Sequence, residues 1–113
     1  MSVSLSELMD EANATAVQKG WWENGDRNFG EQISLMHSEL SEVLEEWRKF
    51  GLCEDRFIYI ENMKPEGIAV EFADLLIRVF DTCKKYNIPL EAALFAKMNY
   101  NNTRPYRHGG KLA

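Results

Sequence analysis

Apolar residues recur along this chain at spacings of three and four, and almost never in the strict alternation of a half-buried strand. The first such stretch predicts a helix from Leu5 to Lys19, with Ser4 and Glu7 as a capping box and Gly20 as its stop. The loop WWENGDRN follows, rich in turn formers. A second helix is predicted from Phe29 to Phe50, opened by Asn28 and Glu31 as an amide version of the capping box and ended by Gly51. Residues 51–64 read as an irregular connection with room for one short helical turn. Pro65 is a favoured first-turn residue and opens a third helix to Tyr86, with Asn87 as a left-handed stop. Pro89 opens a fourth helix reaching Asn101. Pro105 and the pair Gly109–Gly110 keep the tail TRPYRHGGKLA from regular structure. The chain has no repeat and no low-complexity linker. The pattern predicts one all-α domain over residues 1–113, a four-helix bundle with a basic, glycine-containing tail at 105–113.

Composition fits that picture. With 113 residues, 45% apolar and 27% charged, the chain can hold one core without staples. No apolar run approaches the roughly 18 residues of a membrane span. The start, MSVSLSELMDE, is acidic and unlike a signal peptide, so a cytoplasmic location is expected. Cys53 and Cys83 lie far apart and read as reduced packing residues. A net charge of −5 argues against general nucleic-acid binding. The charge is uneven, however: from Ala92 to Ala113 there is no Asp or Glu, while Lys97, Arg104, Arg107 and Lys111 all fall there. Such an end suits the protein's own carboxylates or a phosphate.

The candidate chemistry sits on the second and third helices. Ile33, Met36, Leu40, Val43, Leu44 and Trp47 make an apolar stripe; Glu39 lies about 100° round the helix from Leu40, and Glu42 about 160° in the same sense. On the third helix the stripe is Ile68, Phe72, Leu75, Leu76, Val79 and Cys83, and Glu71 and Asp74 stand at the same two offsets from Phe72. If the helices pack antiparallel, stripe to stripe, equal offsets bring both carboxylate pairs to one groove. Four like charges held together repel, so a bound cation is the sensible occupant, and an all-oxygen set suits Mg²⁺ or Mn²⁺. Each pair alone describes a solvated helix face equally well. Glu45 is expected to be plain surface, and Glu46, one turn on along the same flank, an outer neighbour of the site.

On the fourth helix Lys97 and Asn101 lie within about 60° of the stripe Leu90, Leu94 and Met98. A partly inward lysine needs a partner or a route to water. Arg104 continues that face. In the tail, Arg107, His108 and Lys111 surround a Gly-Gly pair, a composition that can cradle an anion or simply fray. His37 and His108 stand at no E-x-x-H spacing, which argues against a ferritin-like di-iron site.

Together, S-E-L-S-E at 38–42, E-F-A-D at 71–74 and K-M-N-Y-N-N-T-R at 97–104 resemble the MazG-like all-α nucleoside triphosphate pyrophosphohydrolases. The resemblance covers about residues 30–104. The tail motif HGG-K is similar to small MazG-like proteins of phages and mobile elements. One position departs from the family pattern E-E-x-x-E: its first Glu falls on Ser38.

The resemblance implies Mg²⁺-dependent hydrolysis of an NTP or dNTP between the α and β phosphorus, giving NMP and pyrophosphate and cleaning the nucleotide pool. It implies Glu39, Glu42, Glu71 and Asp74 as ligands of one to three Mg²⁺, with Glu39 or Glu42 taking the proton of the attacking water. Lys97 and Arg104 would contact phosphates, Asn101 would orient substrate, and Arg107 and Lys111 would close over the triphosphate. Trp21 and Trp22 would offer the base a stacking surface, against the plainer reading that both pack in the core. A bundle completed by oligomerisation, as homodimer or homotetramer, is also implied. Two other readings stay open: a narrower relative, such as a dUTPase-like or phosphoribosyl-ATP hydrolase, and a non-catalytic helical dimer that binds nucleotide or a protein partner.

Overall fold

In the computed structural model, which describes residues 2–23 and 28–106, most helix ends fall close to where the capping chemistry puts them, the start of the third helix excepted. Helix α1 spans Leu5–Gln18, and the Ser4–Glu7 capping box closes in both directions. Helix α2 spans Phe29–Phe50; the Asn28 side chain accepts from the Gly30 and Glu31 amides, and Gly51 ends the helix at φ +65°. Helix α3 spans Ile68–Lys85, followed by Asn87 at φ +56°. Helix α4 spans Leu90–Thr103 after Pro89.

The connection between α2 and α3 differs from the expectation. After a 3-10 turn at Glu54–Arg56 come two short antiparallel strands, β1 (Tyr59–Glu61) and β2 (Lys64–Glu66), paired Tyr59 to Glu66 and Ile60 to Pro65. Pro65 therefore lies in an edge strand, where its missing N–H costs nothing, and does not open the third helix. The two-residue turn is made by Asn62 and Met63, both at positive φ (53° and 66°). Such turns favour Asn-Gly; a methionine in the second position hides the hairpin from sequence inspection. Gly67 then joins hairpin to helix at φ +119°, so close to the Phe57 and Arg56 carbonyl oxygens that any Cβ would collide with them. The Ala69 amide donates to Phe57 O at 3.0 Å, fixing the hairpin against the first turn of α3.

Helix α3 is the spine, packed against α1 and α2. Asp81 on α3 accepts from Asn13 Nδ2 at 2.9 Å and from Trp22 Nε1 at 3.0 Å, and Lys84 pairs with Asp10 at 3.0 Å. Helix α4 has no buried residue; Glu91 in its first turn accepts from the backbone and side chain of Ser6, both at 3.1 Å. Apolar burial is thin. Among the described residues only Met9, Trp22 and Cys83 are buried apolar side chains, while Gln32, Glu46, Glu71, Asp81 and Thr82 are buried polar ones. Cys53, expected as a packing residue, is exposed. No helix among the described residues is long and apolar enough to cross a membrane.

Candidate metal centre

Glu39, Glu71 and Asp74 come together between α2 and α3, each offering an oxygen within 4.8 Å of the other two. Glu46, Glu66 and Glu71 form a second group by the same measure. Glu71 is common to both, so the carboxylates run as a chain with Glu71 in the middle. Order along the helices shows why. Glu39 meets Asp74 and Arg78, whereas Glu46, seven residues later, meets Glu71, seven before Arg78. The two helices thus run antiparallel, the arrangement in which equal angular offsets put both carboxylate pairs on one side.

Burial and neighbouring charge make this a costly arrangement in the absence of a cation. Glu71 is only 9% exposed. That burial, then Asp74, Glu66, Glu42 and Glu39 in turn, pushes its carboxyl up to about 7. Asp74 is also raised, by burial and then by Glu39, with Lys64 and Arg78 opposing. Glu46 is held differently: Tyr59 Oη donates to its carboxylate at 2.9 Å, and burial and this bond push the Tyr59 phenol up to about 12.

The donor set fits a hard cation. Every convergent ligand atom is a carboxylate oxygen, which suits Mg²⁺ or Mn²⁺ over zinc or iron. Glu42 is exposed and belongs to neither group. Ser38 is exposed too, its Oγ directed at the Ser34 carbonyl at 3.4 Å, so its hydroxyl is turned to its own helix. Glu45 is surface, paired with Arg48 at 2.8 Å, as its position on α2 predicts.

An open cavity of about 640 Å³ adjoins Glu39 and Asp74. Its walls come from α1 (Leu8, Ala12, Thr15, Ala16), from Lys19 and Trp21 just after it, and from Ile77, Arg78 and Phe80 of α3. Trp21 thus faces the cavity, and its Nε1 donates to Gln32 Oε1 at 3.4 Å. Trp22 does not line it: at 8% exposure, with its indole N–H on Asp81 and its ring edge-on to Tyr86, it packs in the core.

The structure does not bring the basic candidates to the carboxylates within one chain. Lys97 and Asn101 are exposed on α4; Lys97 lies over the Tyr100 ring at 4.9 Å, as does Arg104 at 5.7 Å. Arg107 and Lys111 lie outside the described residues. Sequence reasoning missed Arg78, Gln32, Glu66 and Tyr59. Arg78 was visible as the residue one turn beyond Asp74; Glu66 and Tyr59 were hidden with the hairpin. Comparison of the chain with family models, with curated proteins and with solved structures finds no match.

Proposed function

We propose that this protein hydrolyses nucleoside triphosphates at the α–β phosphate bond, with Mg²⁺ held by Glu39, Glu71 and Asp74. The observation that carries the reading is the convergence of these three oxygens around a carboxylate that burial has made reluctant to ionise without a cation. Bound there, Mg²⁺ supplies charge neutralisation for the phosphate oxygens and the departing pyrophosphate. The chain's own groups do the rest. Glu42, exposed and outside both carboxylate groups but close enough for its charge to act on Glu71, takes the proton of the attacking water. The base enters the cavity and stacks on Trp21, whose indole is oriented by the bond to Gln32. Lys97, Asn101 and Arg104 bind phosphates, and Arg107 and Lys111 extend that basic run.

These basic groups reach the carboxylates in an oligomer. Leu40, Leu44 and Trp47 on α2 are 44–50% exposed in the single chain, as are Phe72 on α3 (46%) and Leu94 on α4 (44%). A helix face this apolar supports a bundle completed by a second copy. The complement between an acidic α2–α3 groove and an α4 free of acids from Ala92 onward favours the same chain as partner.

The test is to incubate purified protein with each NTP and dNTP and Mg²⁺, assaying NMP, pyrophosphate and free phosphate separately. NMP with pyrophosphate is expected. Release of NDP with phosphate would overturn the bond assignment. No turnover by well-folded protein would overturn the enzyme reading.

A further inference from the structure

Arg78 lines the cavity beside the carboxylates. Its Nη2 lies 3.4 Å from Glu39 Oε1, and both side chains are 22% exposed. Its Cζ lies 4.1 Å from the centroid of the Trp21 ring, close enough for a stacked cation–π contact. Its Nε is buried and meets no hydrogen-bond acceptor among the described residues. A buried N–H left without an acceptor costs free energy, so this guanidinium is only partly satisfied where it stands.

We propose that Arg78 is a displaceable counter-cation that couples occupancy of the metal centre to the Trp21 wall of the cavity; the proposal rests on reading Glu39 as a metal ligand. Without a divalent ion, the guanidinium neutralises part of the Glu39 charge. An arriving ion competes for the same carboxylate and repels the same positive charge. Arg78 must then give up Glu39, and the contact left to hold it is the indole face of Trp21, since its other charge neighbour, Asp74, is claimed by the ion as well. Its planar fork has donors free for an oxygen acceptor in the cavity once Glu39 is relinquished. Cation binding therefore changes the environment of Trp21, and by reciprocity an occupant that engages Arg78 strengthens cation binding. Arg78 is a positioning residue: it acts through Glu39 and Trp21.

The experiment titrates full-length protein with Mg²⁺ in the absence of nucleotide, following heat by calorimetry and tryptophan emission in parallel. Wild type is expected to bind with a change in emission that Trp21→Phe abolishes. Arg78→Gln removes the competing charge, so affinity for Mg²⁺ rises by about 3- to 10-fold while the emission change is lost. Arg78→Lys keeps the charge but not the planar stack, so affinity stays within about twofold of wild type and the emission change is again lost. Circular dichroism checks that each variant is folded, and should Arg78→Gln not fold, Arg78→Lys decides. Unchanged or weaker affinity in Arg78→Gln, or a retained emission change in Arg78→Lys, would overturn the coupling and leave the metal centre standing. Failure of wild type to bind Mg²⁺ at all would overturn both.

Discussion

Two rows of side chains on α2 have exchanged the places that hydrophobicity assigns them. Gln32, Glu39 and Glu46 stand seven residues apart and face α3 and Trp21; Gln32 and Glu46 are 0% and 6% exposed. Leu40, Leu44 and Trp47, about 100° round the same helix, are roughly half exposed. An isolated helix hairpin built for stability alone would do the reverse, since burying a polar side chain needs a partner and exposing a leucine forfeits its transfer energy. Inside the chain the polar row is only partly satisfied: Trp21, Arg78 and Tyr59 meet Gln32, Glu39 and Glu46 in turn, while Gln32 Nε2 finds no partner among the described residues, and the apolar row is tolerable only if something covers it. On the proposed function, a cation would answer the first requirement and a second copy the second. Breaking each row in turn separates them.

The largest effect is expected from Glu71→Gln, because Glu71 belongs to both carboxylate groups. It should lower Mg²⁺-dependent NTP hydrolysis by at least about 10³-fold. Stability should move the other way. The folded-state carboxyl is raised from 4.5 to about 7, so between those values the folded protein holds a proton that the unfolded chain has lost. The metal-free protein should therefore lose about 2–3 kcal/mol as pH rises from about 5 to 8. Melting in EDTA should show wild type less stable at pH 8 than at pH 6, Mg²⁺ restoring it at pH 8, and Glu71→Gln nearly indifferent to both changes. A wild-type melting temperature that rises with pH over this range would remove the cation from the argument.

The apolar row comes next. If the proposed oligomer forms, Leu44→Glu should convert it to monomer in sedimentation equilibrium, since each half-exposed leucine has on the order of 1 kcal/mol to gain by full burial and the charge reverses that gain. The monomer should keep its helical circular dichroism, because Leu44 is 44% exposed in the single chain. Unfolding of the chain, with no monomeric folded species, would mean that the row is internal after all. Activity should fall with the oligomer if Lys97, Asn101 and Arg104 come from a neighbouring copy.

How much of this was legible beforehand follows from the same two rows. Helix ends were readable because Ser4, Asn28, Gly51 and Asn87 act locally, within a turn of their own positions. Equal offsets on two antiparallel helices anticipated that Glu39, Glu71 and Asp74 meet, but Glu42 stays outside, and Leu40, Leu44, Phe72 and Leu76 are about half exposed, so the stripes do not bury one another as that expectation assumed. Which face of α2 turns inward was not readable, since periodicity identifies an apolar stripe but cannot say whether its partner is the same chain or another. The hairpin escaped because Asn62–Met63 lacks the glycine that advertises such a turn, and with it went Tyr59 and Glu66. Arg78 escaped because a single cation one turn from a carboxylate usually faces water; only the position of Trp21 gives it a second contact.

The smallest prediction probes a buried polar group on α3, a turn beyond Arg78 and away from the carboxylates. Thr82 is 1% exposed, and its Oγ1 finds no hydrogen-bond partner among the described residues. Valine has the same shape without the hydroxyl. If Thr82 belongs to a seam whose polar groups are kept for a ligand nearer Glu71, its own hydroxyl is a passive cost. Thr82→Val should then raise stability by about 0.5–1 kcal/mol, a gain of a few degrees in melting temperature, with hydrolysis unchanged. A loss of similar size would show that the hydroxyl is engaged in the assembled protein. That outcome would extend the functional row a full turn beyond Arg78, toward the end of α3 that Asp81 ties to Trp22 and α1.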